Sequence, residues 1–229
     1  MVESLDKIKV YLEAGEKKTF AGALDWPGWS RSGREEDQAL LSLLDYGPRY
    51  EKVLQLEDVR FQAPKDLSAF KITERLDGTR TTDFGAPDIA PSQDAIPVDA
   101  AELNRFEAIL KACWRAFDQT AAATAGVELS KGPRGGGRDQ EGIIRHVLGA
   151  DAAYLRRLGW KFKEVEQGDL QTELNRTREA ILQGLGASMR GEIPPTGPRG
   201  GARWSPRYFV RRVAWHVLDH AWELEDRAA

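Results

Sequence analysis

The three histidines of this chain all fall in its second half, and two of them stand four residues apart. His216 and His220 lie in "VAWHVLDHAWELEDR", and His146 lies in "EGIIRHVLGADAAYL". On a helix, a spacing of four puts both rings on one face, one turn above the other. Val213, Val217 and Leu224 share that face, which is therefore expected to point inwards. His146 has Ile143 and Ala150 on its own face. One histidine from one helix and two from another can give three nitrogens to a divalent ion, leaving positions open for water or substrate. An ion with open positions can act as a Lewis acid or lower the pKa of a bound group. The bland alternative is ordinary polar packing near a helical seam; the gathering of every histidine at compatible positions favours a site. The spacing is not that of the zinc-protease motif, because Val217 stands where that motif needs a glutamate base. Glu223, three residues after His220, is a further candidate ligand or proton acceptor. Arg227, four residues on, offers it a surface ion pair, and this second reading is the preferred one.

Two Gly-Arg passages precede the histidine-bearing stretches: "GPRGGGR" at 132–138 and "GPRGGAR" at 197–203. A glycine-rich loop at a helix start presents backbone N–H groups to an anion, and arginine adds two-pronged recognition of carboxylate or phosphate. Arg134, Arg138, Arg199 and Arg203 are thus candidates for gripping an anionic substrate. Neither passage is a P-loop, since neither has lysine followed by serine or threonine. Corner-turning with solvated arginines explains each loop taken alone. Arg138 precedes His146 by eight residues, about 12 Å of helix axis. Arg203 precedes His216 by thirteen, about 20 Å if helical throughout. Simple up-down connections would place both loops at one end, whereas "GWKFKEVEQG" is long enough for a crossover that separates them.

Elements of two kinds must position these residues. In the first part, "IKVYL" at 8–12 and "TFAGAL" at 19–24 flank a polar turn and predict a hairpin. "DWPGW" then breaks the strand, and Leu40, Leu41 and Leu44 mark a helix within 35–54. "FKITERLDGTRTTDF" at 70–84 predicts a second hairpin with Asp77-Gly78 at its turn. Residues 85–97 are Pro-rich and read as a linker. Beyond it, Asp99 and Glu102 have capping-box spacing, and Leu103, Phe106, Leu110, Cys113 and Phe117 form an apolar stripe at helical period. Three more helices follow, at 139–158, 170–188 and 206–227. The expected plan is an α+β domain at 1–84, the linker at 85–97, and an all-α four-helix bundle at 98–229.

Composition narrows the function classes. The lone Cys113 excludes an intrachain disulfide framework and a cysteine-rich metal site. Its setting in "AILKACW" predicts an inert core thiol. A net charge of −3 gives no reason to expect nucleic acid or an anionic membrane as partner. No apolar run has the length of a membrane span, and the start lacks the long apolar segment of a secretion signal. The expectation is a soluble cytoplasmic protein, free to form a homodimer.

The order of helices, with His146 on the second and "HVLDH" on the fourth, resembles the DinB/YfiT-like superfamily of metal-binding four-helix bundles over about 97–229. The resemblance implies that His146, His216 and His220 bind a divalent metal such as nickel, zinc or iron. It also implies, as in some members, a transferase or isomerase that uses a low-molecular-weight thiol. "KTFAGALDWPGWSRSGREEDQALLSLLDY" is similar to HicB-like antitoxin domains over about 7–55, without a toxin-neutralising motif or a DNA-binding tail. That likeness implies a binding or dimerisation module, with Trp26 and Trp29 either as contact residues or buried about the turn. Two functions follow: a metal-dependent enzyme acting on a small anionic molecule, or a non-catalytic binding or regulatory protein with a structural bundle.

Overall fold

A computed structural model describes residues 7–131, 137–163 and 169–228. The chain divides into two compact units, Met1–Ala95 and Ile96–Ala229.

In the first unit, β1 (Ile8–Ala14) and β2 (Thr19–Ala23) form the expected antiparallel hairpin, with Val10 opposite Ala23 and Ala14 opposite Thr19. β3 (Ser30–Gly33) pairs with the outer side of β2. Gly22 lies opposite Tyr11, and a Cβ there would collide with the Tyr11 ring, so the pair packs only because one partner has no side chain. The helical stretch divides at Tyr46 into α1 (Glu36–Asp45) and α2 (Gly47–Gln55), with a proline in the first turn of α2. Trp29 is buried; its Nε1 donates to Leu43 O at 2.8 Å, and its ring stacks on Tyr50.

The second hairpin does not form. β4 (Phe70–Asp77) lies parallel to β1, giving the sheet order β3-β2-β1-β4. A helix, α3 (Arg80–Phe84), follows it. Thr79 and Thr82 form a reciprocal cap at the start of α3, and Gly78 N donates to Ala14 O at 2.7 Å. The Asp-Gly signal was outweighed by the Thr-x-x-Thr cap directly behind it, which starts a helix where a return strand was expected. Residues 88–92 pack on the sheet unit: Asp88 N and Ile89 N donate to the buried Glu13 carboxylate, and Ser92 N donates to Glu74.

Among the described residues, the second unit contains four long helices. α4 (Ala100–Ala123) begins at the Asp99–Glu102 capping box. α5 (Gln140–Leu158) is capped by Asp139 and ends at Gly159, whose φ of +96° suits glycine. α6 (Leu170–Met189) is capped by Asp169, and α7 (Pro206–Ala228) is buried along nearly its whole length. α4 and α7 run in the same direction, since Arg207 near the start of α7 bonds Glu102 in the first turn of α4. α5 runs opposite to α7: Tyr154 meets Arg212, His146 meets His216, and Arg138, just before α5, meets Arg227 near the end of α7. Among the described residues, no helix is long and apolar enough to cross a membrane.

Candidate metal centre

The opposed directions of α5 and α7 bring the three histidines together. Their ring centroids form a near-equilateral triangle: 5.0 Å from His146 to His216, 4.9 Å from His146 to His220, and 4.6 Å from His216 to His220. One nitrogen from each ring lies within 4.8 Å of the others, so the three could hold a metal ion. His216 and His220 are buried, with 6% and 8% exposure, while His146 is partly open at the rim.

Three features test whether this donor set fits an ion. His146 Nε2 and His216 Nε2 face each other at 3.3 Å. Two nitrogens each about 2.05 Å from a tetrahedral ion are about 3.3 Å apart, so this separation suits shared coordination. His220 Nδ1 is 2.7 Å from Glu223 Oε2, which directs the other ring nitrogen towards the triangle. A carboxylate behind a ligating imidazole is the usual way of fixing its tautomer and orientation. Finally, burial, reinforced by the neighbouring His220 and Arg138 charges, lowers the His146 pKa to about 4. Burial acts in the same direction on His216, with His220, His146, Arg212 and Arg138 adding to it. Both rings are therefore neutral at pH 7, the state that a metal requires.

Glu223 has two partners. Besides His220, it accepts from Arg227 Nη1 at 2.8 Å, and the pair is not the surface feature the spacing suggested, because Arg227 is buried. The hydrogen bond from His220, then the Arg227 bond and charge, hold the Glu223 carboxyl at about 2 against the opposing effect of burial. Arg227 also donates to Ser130 O and to Arg138 O, so the residues on either side of the first Gly-Arg loop are tied to the end of α7.

The loop arginines take different places. Arg138 stands at the histidine end of α5, where its charge acts on both His146 and His216. Arg134 lies outside the described residues. Arg199 is exposed in the second loop. Arg203 donates to Pro194 O and packs over Gly159, at the far end of α5. Gly159 is thirteen residues from His146, about 20 Å along the axis, so Arg203 lies away from the triangle. There it lines a separate cavity of about 690 Å³ with Arg156, Arg157 and Trp160. Arg138 and Arg203 thus sit at opposite ends of α5, as the crossover alternative allows.

Sequence reasoning passed over Arg212 and Tyr154. Arg212 is one turn before His216 on α7, and its Nη2 donates to the Tyr154 hydroxyl at 3.2 Å. The Tyr154 ring lies 5.8 Å from that of His216. The i,i+4,i+8 run of Arg212, His216 and His220 was visible in the sequence, and extending the histidine stripe back one turn would have found the first of these. No family model matches the chain, and neither a curated protein nor a solved structure matches it.

Proposed function

We propose that the second unit is a DinB-like four-helix bundle and that the protein is a metal-dependent enzyme acting on a small anionic molecule. The observation that carries this reading is the histidine triangle with one corner, His220, already oriented by Glu223. His146, His216 and His220 are the ligands, and imidazole donors suit nickel, zinc and iron alike. When bound, such an ion supplies a Lewis acid that favours the thiolate of a low-molecular-weight thiol or the deprotonated form of a water. The chain's own groups do the rest. Glu223 holds His220, Arg227 holds Glu223, and burial, helped by the neighbouring cationic groups, keeps His146 and His216 unprotonated for binding. Thiol-dependent transfer or isomerisation is the reaction class that this arrangement best serves.

The test is elemental analysis of the intact protein purified after growth with added nickel, zinc and iron. Roughly one ion per chain is expected, lost in His216→Ala and in His220→Ala. Background metal in the unmutated protein would overturn the reading.

One observation favours a second reading, a HicB-like binding or regulatory module. The first unit has a groove of about 1270 Å³ lined by Trp26, Val59 and Phe61, with Arg60 and Lys65 beside them. In that case, a chain lacking all three histidines would keep its partner and its stability.

A further inference from the structure

Three buried arginines in the second unit are answered by carboxylates. Arg178 is bidentate to Asp118, Arg207 bonds Glu102, and Arg227 bonds Glu223. Arg212 differs. It is only 6% exposed, yet among the described residues it has no acidic partner. Its one acceptor is the neutral Tyr154 hydroxyl, and its Nε and Nη1 are buried with nothing to bond. Those two nitrogens carry three N–H groups. The Tyr154 and Trp215 rings lie 5.4 and 5.0 Å from its guanidinium; their π faces attract the cation but carry no formal charge to neutralise it and accept none of its free N–H groups.

A buried charge without a counter-charge is strongly unfavourable, and a fold that keeps one has a reason outside its own packing. The position supplies the reason. Arg212 stands one helical turn, about 6 Å, from His216 and on the same face of α7. Tyr154, its sole acceptor, is only partly buried and lies on α5 two turns beyond His146, also at the rim.

We infer that Arg212 is the anchor for a carboxylate of the substrate, which takes over from the Tyr154 hydroxyl as acceptor and lies beside the histidine triangle. This rests on the metal-enzyme reading for its role in turnover, but the anion site itself needs no ion. A monocarboxylate matches the site better than a phosphate dianion. One guanidinium neutralises a single negative charge, and a second would be left buried and unpaired. The proposed anchor belongs to the histidine helix itself.

The experiment compares the full-length chain with Arg212→Met and Arg212→Lys, all stripped of metal, by thermal unfolding at pH 7 in a propionate series. Sodium chloride holds the ionic strength constant. The unmutated chain should gain melting temperature saturably with propionate, and more than with equimolar inorganic phosphate. Arg212→Met should lose that gain, and in the absence of propionate should melt about 2–4 °C higher than the parent because an unpaired charge is gone. Arg212→Lys should keep a reduced gain. The inference is overturned by a propionate effect that is absent from the parent or equal in Arg212→Met. It is also overturned by an Arg212→Met chain that melts lower or does not fold, which would make Arg212 structural. Metal reloading of the same samples reports separately on the histidine site: Arg212→Met should bind nickel or zinc within about threefold of the parent.

Discussion

Glu223 shows how one side chain can serve both a site and a fold. It orients His220 through one oxygen and ties down Arg227 through the other, and Arg227 in turn holds the residues bordering the first Gly-Arg loop. Glu223→Gln should retain the Arg227 contact through its amide oxygen while weakening the anionic support behind His220. The expected result is an affinity for zinc about 10- to 100-fold lower with little change in fold, measured by chelator competition. An unchanged affinity would mean that His220 is oriented by packing alone. By contrast, Cys113 has no chemistry to offer: it is buried, and burial pushes its thiol well above the usual range. Its inertness was legible from the apolar run around it.

At the scale of elements, two glycines make opposite demands. Gly22 on β2 faces Tyr11 across the hairpin, and Gly22→Ala should destabilise by about 1–3 kcal/mol through overpacking. Gly149 on α5 has open space about it, and Gly149→Ala should stabilise by about 0.5–1 kcal/mol, because alanine loses less backbone freedom in a helix. Urea denaturation of both variants checks the pair, and the same sign for both would contradict the packing described. The elements themselves were read unevenly from sequence. Asp99, Asp139 and Asp169 cap their helices through side chains reaching three residues on, which is why the starts were visible. β4 was misjudged because its partner, β1, is more than fifty residues away, and parallel pairing leaves no mark at the turn.

For the molecule as a whole, Asp151 is one group through which the stability of the second unit should depend on pH. This residue is buried in α5 with its Oδ1 unbonded. Burial raises its pKa from 3.8 to about 8, with Arg178 opposing. A carboxyl whose folded pKa is raised binds its proton more tightly in the native state. Its contribution is complete below about pH 4 and is lost as pH rises through about 8. Asp151→Asn is neutral throughout, so its stability relative to the parent should grow steadily from pH 5 to pH 8. Chemical denaturation of both chains at those two pH values measures the difference. A gap that shrinks or stays constant would show that Asp151 is ionised in the native state.

What the sequence determined by itself is local. Helix period and caps depend on partners within a turn or so, and these place His216 and His220 on one face and His146 on another helix. The tertiary structure decided which faces meet. Running α5 against α7 closes the histidine triangle and sends Arg138 and Arg203 to opposite ends of α5. It also decided which charges are answered. Arg227 finds Glu223 within its own helix, four residues away, but Arg212 must look across to α5 and, among the described residues, bonds Tyr154 alone. Whether a buried charge has a partner depends on packing between segments far apart in the chain, and no spacing along one helix records it.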